Sequence, residues 1–174
     1  MRLAPECGIA DHAALPHPAA SDLDAGIVHH VSSIAASGDY SGFWDETMFD
    51  VDQGLPSPYH RTKFESEKIA REESKVPWRV YRPAIVVGHS ETGEMDKIDG
   101  PYYFFKLLQK LRHALPEWAP LAGPQGGETN IVPVDFVARA MDHIAHIPDD
   151  DLPGDTFHLT NPEPMTVGRM FADA

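Results

Sequence analysis

Apolar positions along this chain follow two patterns. From Ile27 to Ser33 and from Trp78 to Val87 they are nearly continuous and β-branched, which suits strands of a parallel sheet covered on both faces. The first run is interrupted only by His29 and His30. In the second, Pro83 removes a ladder donor, so the strand should end or bend near it. From Tyr102 to His113 the apolar set Tyr103, Phe104, Leu107, Leu108 and Leu111 falls at helical spacing. Asp135 caps a further helix over Phe136–His146, rich in Val137, Ala138, Ala140, Met141 and Ile144. Asn130–Val134 and Thr156–Thr160 read as short strands, and Thr166 opens a helix that runs toward Ala174.

The segment before Ile27 has no such pattern. Pro5, Pro16, Pro18 and small residues dominate it, and residues 1–26 read as an irregular N-terminal segment. Ser37–Pro56 is rich in Gly, Asp and Pro and carries Tyr40, Phe43 and Trp44. It reads as a long loop of the kind that often carries function, although the two residues Phe43 and Trp44 could equally serve to anchor it. His89–Gly100 is a polar, Gly-bounded loop, Pro116–Gly127 is loop-like, and Asp149–Asp151 is a solvated turn.

A different signal marks the helix over Pro58–Ser74. Ser57 can accept a bond from a free backbone N–H as the N-cap. Pro58 follows where a missing N–H costs nothing. Lys63, Glu65, Glu67, Lys68, Ala70, Arg71 and Glu72 are good helix formers. Tyr59 and Lys63, four residues apart, share one face of that helix. An ammonium beside a phenol favours the phenolate, so such a pair suits proton transfer near neutral pH. Alone, a Tyr-x-x-x-Lys is usually an ordinary surface pair.

Composition narrows the function. The 174 residues suffice for one domain, and at 42% hydrophobic they can build a core. A formal net charge of −13 with no basic run argues against nucleic acid and anionic membranes as partners. The single cysteine, Cys7, forms no internal disulfide framework and fits a cytoplasmic protein. No stretch reaches the roughly 20 apolar residues of a membrane span, and no signal peptide pattern opens the chain. The 10 His residues show no zinc-ligand spacing, so no metal is expected, and His29-His30 reads as part of a strand.

Three ordered motifs together carry a resemblance. They are Ile27-Val28-His29-His30-Val31-Ser32-Ser33, Ser57-Pro58-Tyr59-His60-Arg61-Thr62-Lys63, and Tyr81-Arg82-Pro83-Ala84-Ile85-Val86-Val87-Gly88. They resemble the extended short-chain dehydrogenase/reductase family. The stretch Tyr59–Glu65 and the loop Gly88–Phe105 resemble, within that family, bacterial fatty acyl-CoA reductases related to thioester reductases and the male-sterility group. The resemblance implies an α/β fold, a partial Rossmann-type doubly wound parallel sheet with a small substrate-binding segment at about 89–130. It implies a catalytic Ser33, Tyr59 and Lys63, with Ser32 as the alternative register for the serine. Tyr59, Lys63, Pro83, Ala84 and Ile85 would contact the cofactor, NADPH or else NADH, and the substrate would be a small molecule such as an acyl thioester. An epimerase or hydroxysteroid-type dehydrogenase on the same scaffold is the alternative within the family; the loop Gly88–Phe105 disfavours it.

The family's Gly-rich turn around the pyrophosphate has no counterpart in this sequence, since Gly123, Gly126 and Gly127 follow no strand. Residues 27–174 therefore correspond to the middle and later part of a family domain. That predicts weak NADPH binding by the isolated chain. It also predicts a sheet edge open to self-association or to a partner chain. A non-catalytic fragment is the remaining alternative.

Overall fold

The computed structural model describes residues 26–95, 128–152 and 154–166. The expected helix over Tyr102–His113, the loop over Pro116–Gly127, most of segment 89–130 and nearly all of residues 1–26 lie outside them. In order, the elements are β1 (Val28–Val31), a 3-10 turn (Ile34–Ser37), α1 (Pro58–Glu73), β2 (Trp78–Pro83), β3 (Ile85–Val87), β4 (Glu128–Thr129), β5 (Ile131–Pro133), α2 (Val134–His146), a 3-10 turn (Asp149–Asp151), β6 (Thr156–Leu159) and β7 (Met165–Thr166). They fall into two units, divided after Ala84, after Val137 and after Leu159.

The first unit is built on a parallel sheet in the order β1-β2-β6. Val28 pairs with Trp78 and Val31 with Tyr81; Val80 pairs with Thr156 and Pro83 with Leu159. Side chains alternate across a strand, so β2 sends Trp78, Val80 and Arg82 to one face and Arg79 and Tyr81 to the other. On the first face Arg82 meets Glu67 of α1. On the second, Arg79 donates to the Ile144 and Ile147 carbonyls at the C-terminal end of α2, a cation where the helix dipole favours one. Helices thus cover both faces, the doubly wound arrangement expected. Val80 and Tyr81 are fully buried at its centre, with Ala36 and Ala70 packed nearby.

His29 takes its place in the strand. It stacks on Tyr81 at 5.9 Å and its Nδ1 lies 2.9 Å from the Tyr81 hydroxyl, while Phe157 stacks on the other side of Tyr81 at 6.0 Å. Among the described residues no group of three His, Cys, Asp or Glu side chains is placed to hold a metal.

The second unit carries two small sheets, β3 parallel to β5 and β4 antiparallel to β7. Asp135, in the first turn of α2, accepts from the backbone N–H of Ser90 at 2.8 Å and from its hydroxyl at 2.9 Å, and these bonds hold its carboxyl below the usual range. Asn130 and Asn161 bond reciprocally, at 2.7 and 2.8 Å.

Several boundaries differ from expectation, β1 among them, which stops at Val31 rather than Ser33. The strand expected over Trp78–Val87 is two strands: Ala84 N–H bonds Leu159 of β6, but Ile85 N–H bonds Asn130 beside β5, so the chain changes partner between Ala84 and Ile85. The helix over 134–146 starts before Asp135 rather than after it. Met165 and Thr166 pair with Thr129 and Glu128 in a two-residue strand, and the helix expected to run from Thr166 toward Ala174 lies outside the described residues.

Candidate active site

The first turn of α1 forms as its sequence dictates. Ser57 is extended at the N-cap, and its hydroxyl accepts from the His60 N–H at 3.4 Å, with Pro58 inside the first turn. The same hydroxyl lies 2.6 Å from His60 Nδ1. Tyr59 is therefore the second helical residue, and 47% of it is exposed, open to a ligand. Its ring meets the His60 ring edge-on. Lys63, one turn further, donates to the Val31 carbonyl at 3.4 Å.

Val31 ends β1, two residues ahead of Ser33. Ser32 N–H still bonds to Tyr81, but Ser33 leaves the sheet to cap the 3-10 turn. Its hydroxyl accepts from the Ala35 N–H at 3.2 Å, which leaves the hydroxyl proton to be donated elsewhere. The turn packs against α1. Lys63 is thereby tied to the strand end that carries Ser33. Ser32 is more deeply buried, 2% exposed, and faces the helix. It helps lower the Glu67 carboxyl, although its hydroxyl makes no bond of full hydrogen-bonding geometry.

Of the remaining predicted contacts, Pro83 and Ala84 are buried at the end of β2. Ile85, 38% exposed, opens β3 of the second unit.

Between Ser33 and Tyr59, the irregular stretch is closed at its neck. Asp39 N–H donates to the Gly54 carbonyl at 3.0 Å, and Gly54 N–H to the Asp39 carboxylate at 2.7 Å. Gln53 bonds the Ala36 and Phe49 carbonyls, and Phe49 stacks on Phe64 of α1 at 4.7 Å. This is a compact loop packed by its own side chains. Trp44 lies inward beneath Arg82 and helps anchor the loop, whereas Phe43, 84% exposed, does not.

The sequence did not single out the most buried charges. Glu67 and Arg82 are both fully buried and 2.6 Å apart. Burial alone would raise the Glu67 carboxyl, but the hydrogen bonds and charge of Arg82 outweigh it and hold that carboxyl below its ordinary value. Arg71 pairs with the same carboxylate at 2.8 Å and lies over the Phe49 and Trp78 rings. The sequence does carry one clue: Tyr59, Lys63 and Glu67 are spaced by four and share a helix face.

A parallel sheet wound by helices on both faces, with a Tyr-Lys pair opening the helix that follows the first strand and its Ser-capped turn, defines a Rossmann-type domain of the extended short-chain dehydrogenase/reductase kind. The chain belongs to the male sterility protein family of NAD-binding domains, whose model matches residues 18–141. Glycine betaine reductase ATRR of Emericella nidulans is 29% identical over 137 residues, 76% of this chain but 10% of that protein. The terminal R domain of the myxalamid PKS-NRPS biosynthetic pathway shares the fold with a TM-score of 0.70 at 24% identity, over 84% of this chain and 36% of that one. UDP-glucuronic acid 4-epimerase of Bacillus cereus, solved with UDP-glucuronic acid and NAD, shares it with a TM-score of 0.61 at 18% identity, over 91% of this chain and 47% of that one. The chain thus spans less than half the length of each of these three. Among the described residues no helix is long and apolar enough to cross a membrane.

Proposed function

We propose that this chain carries the catalytic residues of an NADPH-dependent reductase that acts on an acyl thioester. The observation that supports it most is the reach of Lys63 to Val31 at the end of the Ser33 strand, with the half-exposed Tyr59 one turn before it. An ammonium on an open helix face suits a ribose diol, so Lys63 would hold the nicotinamide end of the cofactor, with Tyr59 beside it and its hydroxyl left for the substrate. The buried backbone of Pro83 and Ala84, with Ile85 after it, would form the wall beside the ring. Residues 27–174 would then be the reductase part, and 89–130 its substrate segment.

The cofactor, when bound, supplies the hydride. Tyr59 donates its hydroxyl proton to the carbonyl oxygen as charge develops there. Lys63 stabilises the phenolate that remains. Ser33 donates its hydroxyl proton in a hydrogen bond to the same oxygen, a contact that strengthens in the transition state. The carbonyl carbon gains the hydride and its oxygen the proton; the resulting hemithioacetal expels the thiol and leaves an aldehyde.

The test is NADPH oxidation by the full-length protein with an acyl-CoA. Tyr59→Phe should remove most turnover and leave cofactor affinity nearly unchanged, because Tyr59 acts on the substrate oxygen. Lys63→Ala should damage both. Wild-type turnover in Tyr59→Phe would refute the acid role.

A further inference from the structure

Arg82 is held in a way that its own strand does not require. It is fully buried, and a buried guanidinium is stable only when its charge and its N–H groups are met. Nε donates to both Glu67 oxygens at 3.2 and 3.1 Å. Nη2 donates to Glu67 Oε1 at 2.6 Å and to the Met48 carbonyl at 2.9 Å. Nη1 donates to His158 Nε2 at 3.2 Å. Since Arg has no acceptor, His158 must present a lone pair there and carry its proton on Nδ1, toward Glu46. The guanidinium also lies 5.3 Å from the Trp44 ring centroid.

These partners come from separate parts of the first unit. Glu67 is on α1, one turn beyond Lys63 and two beyond Tyr59. Met48 and Trp44 belong to the pinched loop. His158 is on β6, and Arg82 itself immediately precedes Pro83 and Ala84. One planar fork therefore sets the register of the helix, the loop and two strands together. A bidentate Arg–carboxylate pair adds directional constraint that a point charge lacks.

We propose that Arg82, through Glu67, is a positioning residue for the proton-transfer site: it fixes where Tyr59 and Lys63 stand relative to Ser33 and to the Pro83-Ala84 backbone. This rests on the reductase reading above. A displacement of about 1 Å in such a site can cost on the order of 100-fold in rate. Binding tolerates small displacements better than chemistry does, so the loss belongs in kcat.

The test compares wild type, Tyr59→Phe, Arg82→Lys and the double variant Glu67→Met/Arg82→Met in the full-length protein. Arg82→Lys keeps the charge and loses the fork. The double variant removes both charges and keeps the volume. Both should melt within a few degrees of wild type, lose roughly 10- to 100-fold in kcat, and keep KM for NADPH within about two-fold. The deuterium isotope effect with 4-deuterated NADPH should rise, because hydride transfer becomes slower; a smaller folded fraction would lower the rate and leave that ratio alone. Amide exchange in residues 45–49 of the cofactor-free protein should quicken in Arg82→Lys. Wild-type kcat and isotope effect in Arg82→Lys would overturn the inference, whether or not the double variant folds. If Tyr59→Phe were fully active, the reductase reading itself would fail; if it were inactive while Arg82→Lys matched wild type, only the positioning role would.

Discussion

Removing either charge of the Glu67–Arg82 pair should destabilise the protein, and removing both should cost less than removing Glu67 alone. In Arg82→Met the carboxylate keeps Arg71, whose Nε and Nη2 reach Oε1 at 2.9 and 2.8 Å. The loss should fall at the lower end of the range for a broken buried pair, about 3 kcal/mol. In Glu67→Gln two guanidinia lose their anion. Arg71 still has Thr156 and two aromatic rings and is partly exposed, whereas Arg82, fully buried, keeps a carbonyl, an imidazole and the Trp44 ring but no anion. There the loss should approach about 5 kcal/mol. Replacing a buried pair by apolar groups of similar volume is often neutral, so Glu67→Met/Arg82→Met should lose no more than about 2 kcal/mol, the orphaned Met48 carbonyl and the anion lost to the partly exposed Arg71 being the main costs. Thermal melts followed by circular dichroism read this directly. At about 2–4 °C per kcal/mol for a domain of this size, Glu67→Gln should melt roughly 10–20 °C lower and the double variant only a few degrees lower. Strictly additive losses, or single variants each costing less than about 1 kcal/mol, would refute the account of Glu67 and Arg82 as a desolvated, mutually dependent pair.

Two further outcomes follow from the same unit. Gly38 has a φ of 58°, and a Cβ there would lie 2.1 Å from the Gly54 carbonyl oxygen; Gly38→Ala should open the loop neck, cost at least the roughly 1–3 kcal/mol of such backbone strain, and speed amide exchange at Asp39 and Gly54. Burial pushes the His158 imidazole below its ordinary 6.5, with Arg82 adding to the shift and Glu46 opposing it, so below pH 6.5 the unfolded chain binds a proton that the folded one refuses, and stability falls as pH falls. Glu67, lowered from 4.5, adds a second loss of the same sign below that pH. A His158→Gln variant should lose the upper step and keep the lower one, as read by melts across pH 4 to 8.

Local chemistry was legible in the sequence where it acts over a few residues. Ser57-Pro58 announced the start of α1, and that is where the helix begins, because the cap and the first turn need only their own neighbours. Val28–Val31 and Thr156–Leu159 were legible from β-branched and apolar content, though β1 stops short of Ser32 because the chain turns there into a 3-10 cap. What depended on distant partners was not legible. The change of sheet at Ala84 requires Leu159 on one side and Asn130 on the other. The loop neck requires Asp39 to meet Gly54. Glu67 looks like any helix-forming carboxylate beside Glu65 and Lys68, and only the placement of Arg82 on the facing strand makes it a buried ion. Nothing in the type of Thr166 announced its pairing with Glu128. For the site, the Tyr59–Lys63 spacing was readable, whereas the anchoring of Lys63 to Val31 was not.

The proposed function requires hydride to pass from NADPH to an acyl carbonyl with Tyr59 as the acid. A single turnover of the full-length protein with 4,4-dideuterated NADPH and an acyl-CoA, followed by mass analysis of the product, reads this step. One deuterium at the former carbonyl carbon of the aldehyde in the wild type, and little labelled product over the same interval with Tyr59→Phe, is the predicted result. Unlabelled product, or equal labelling in the two proteins, would contradict it.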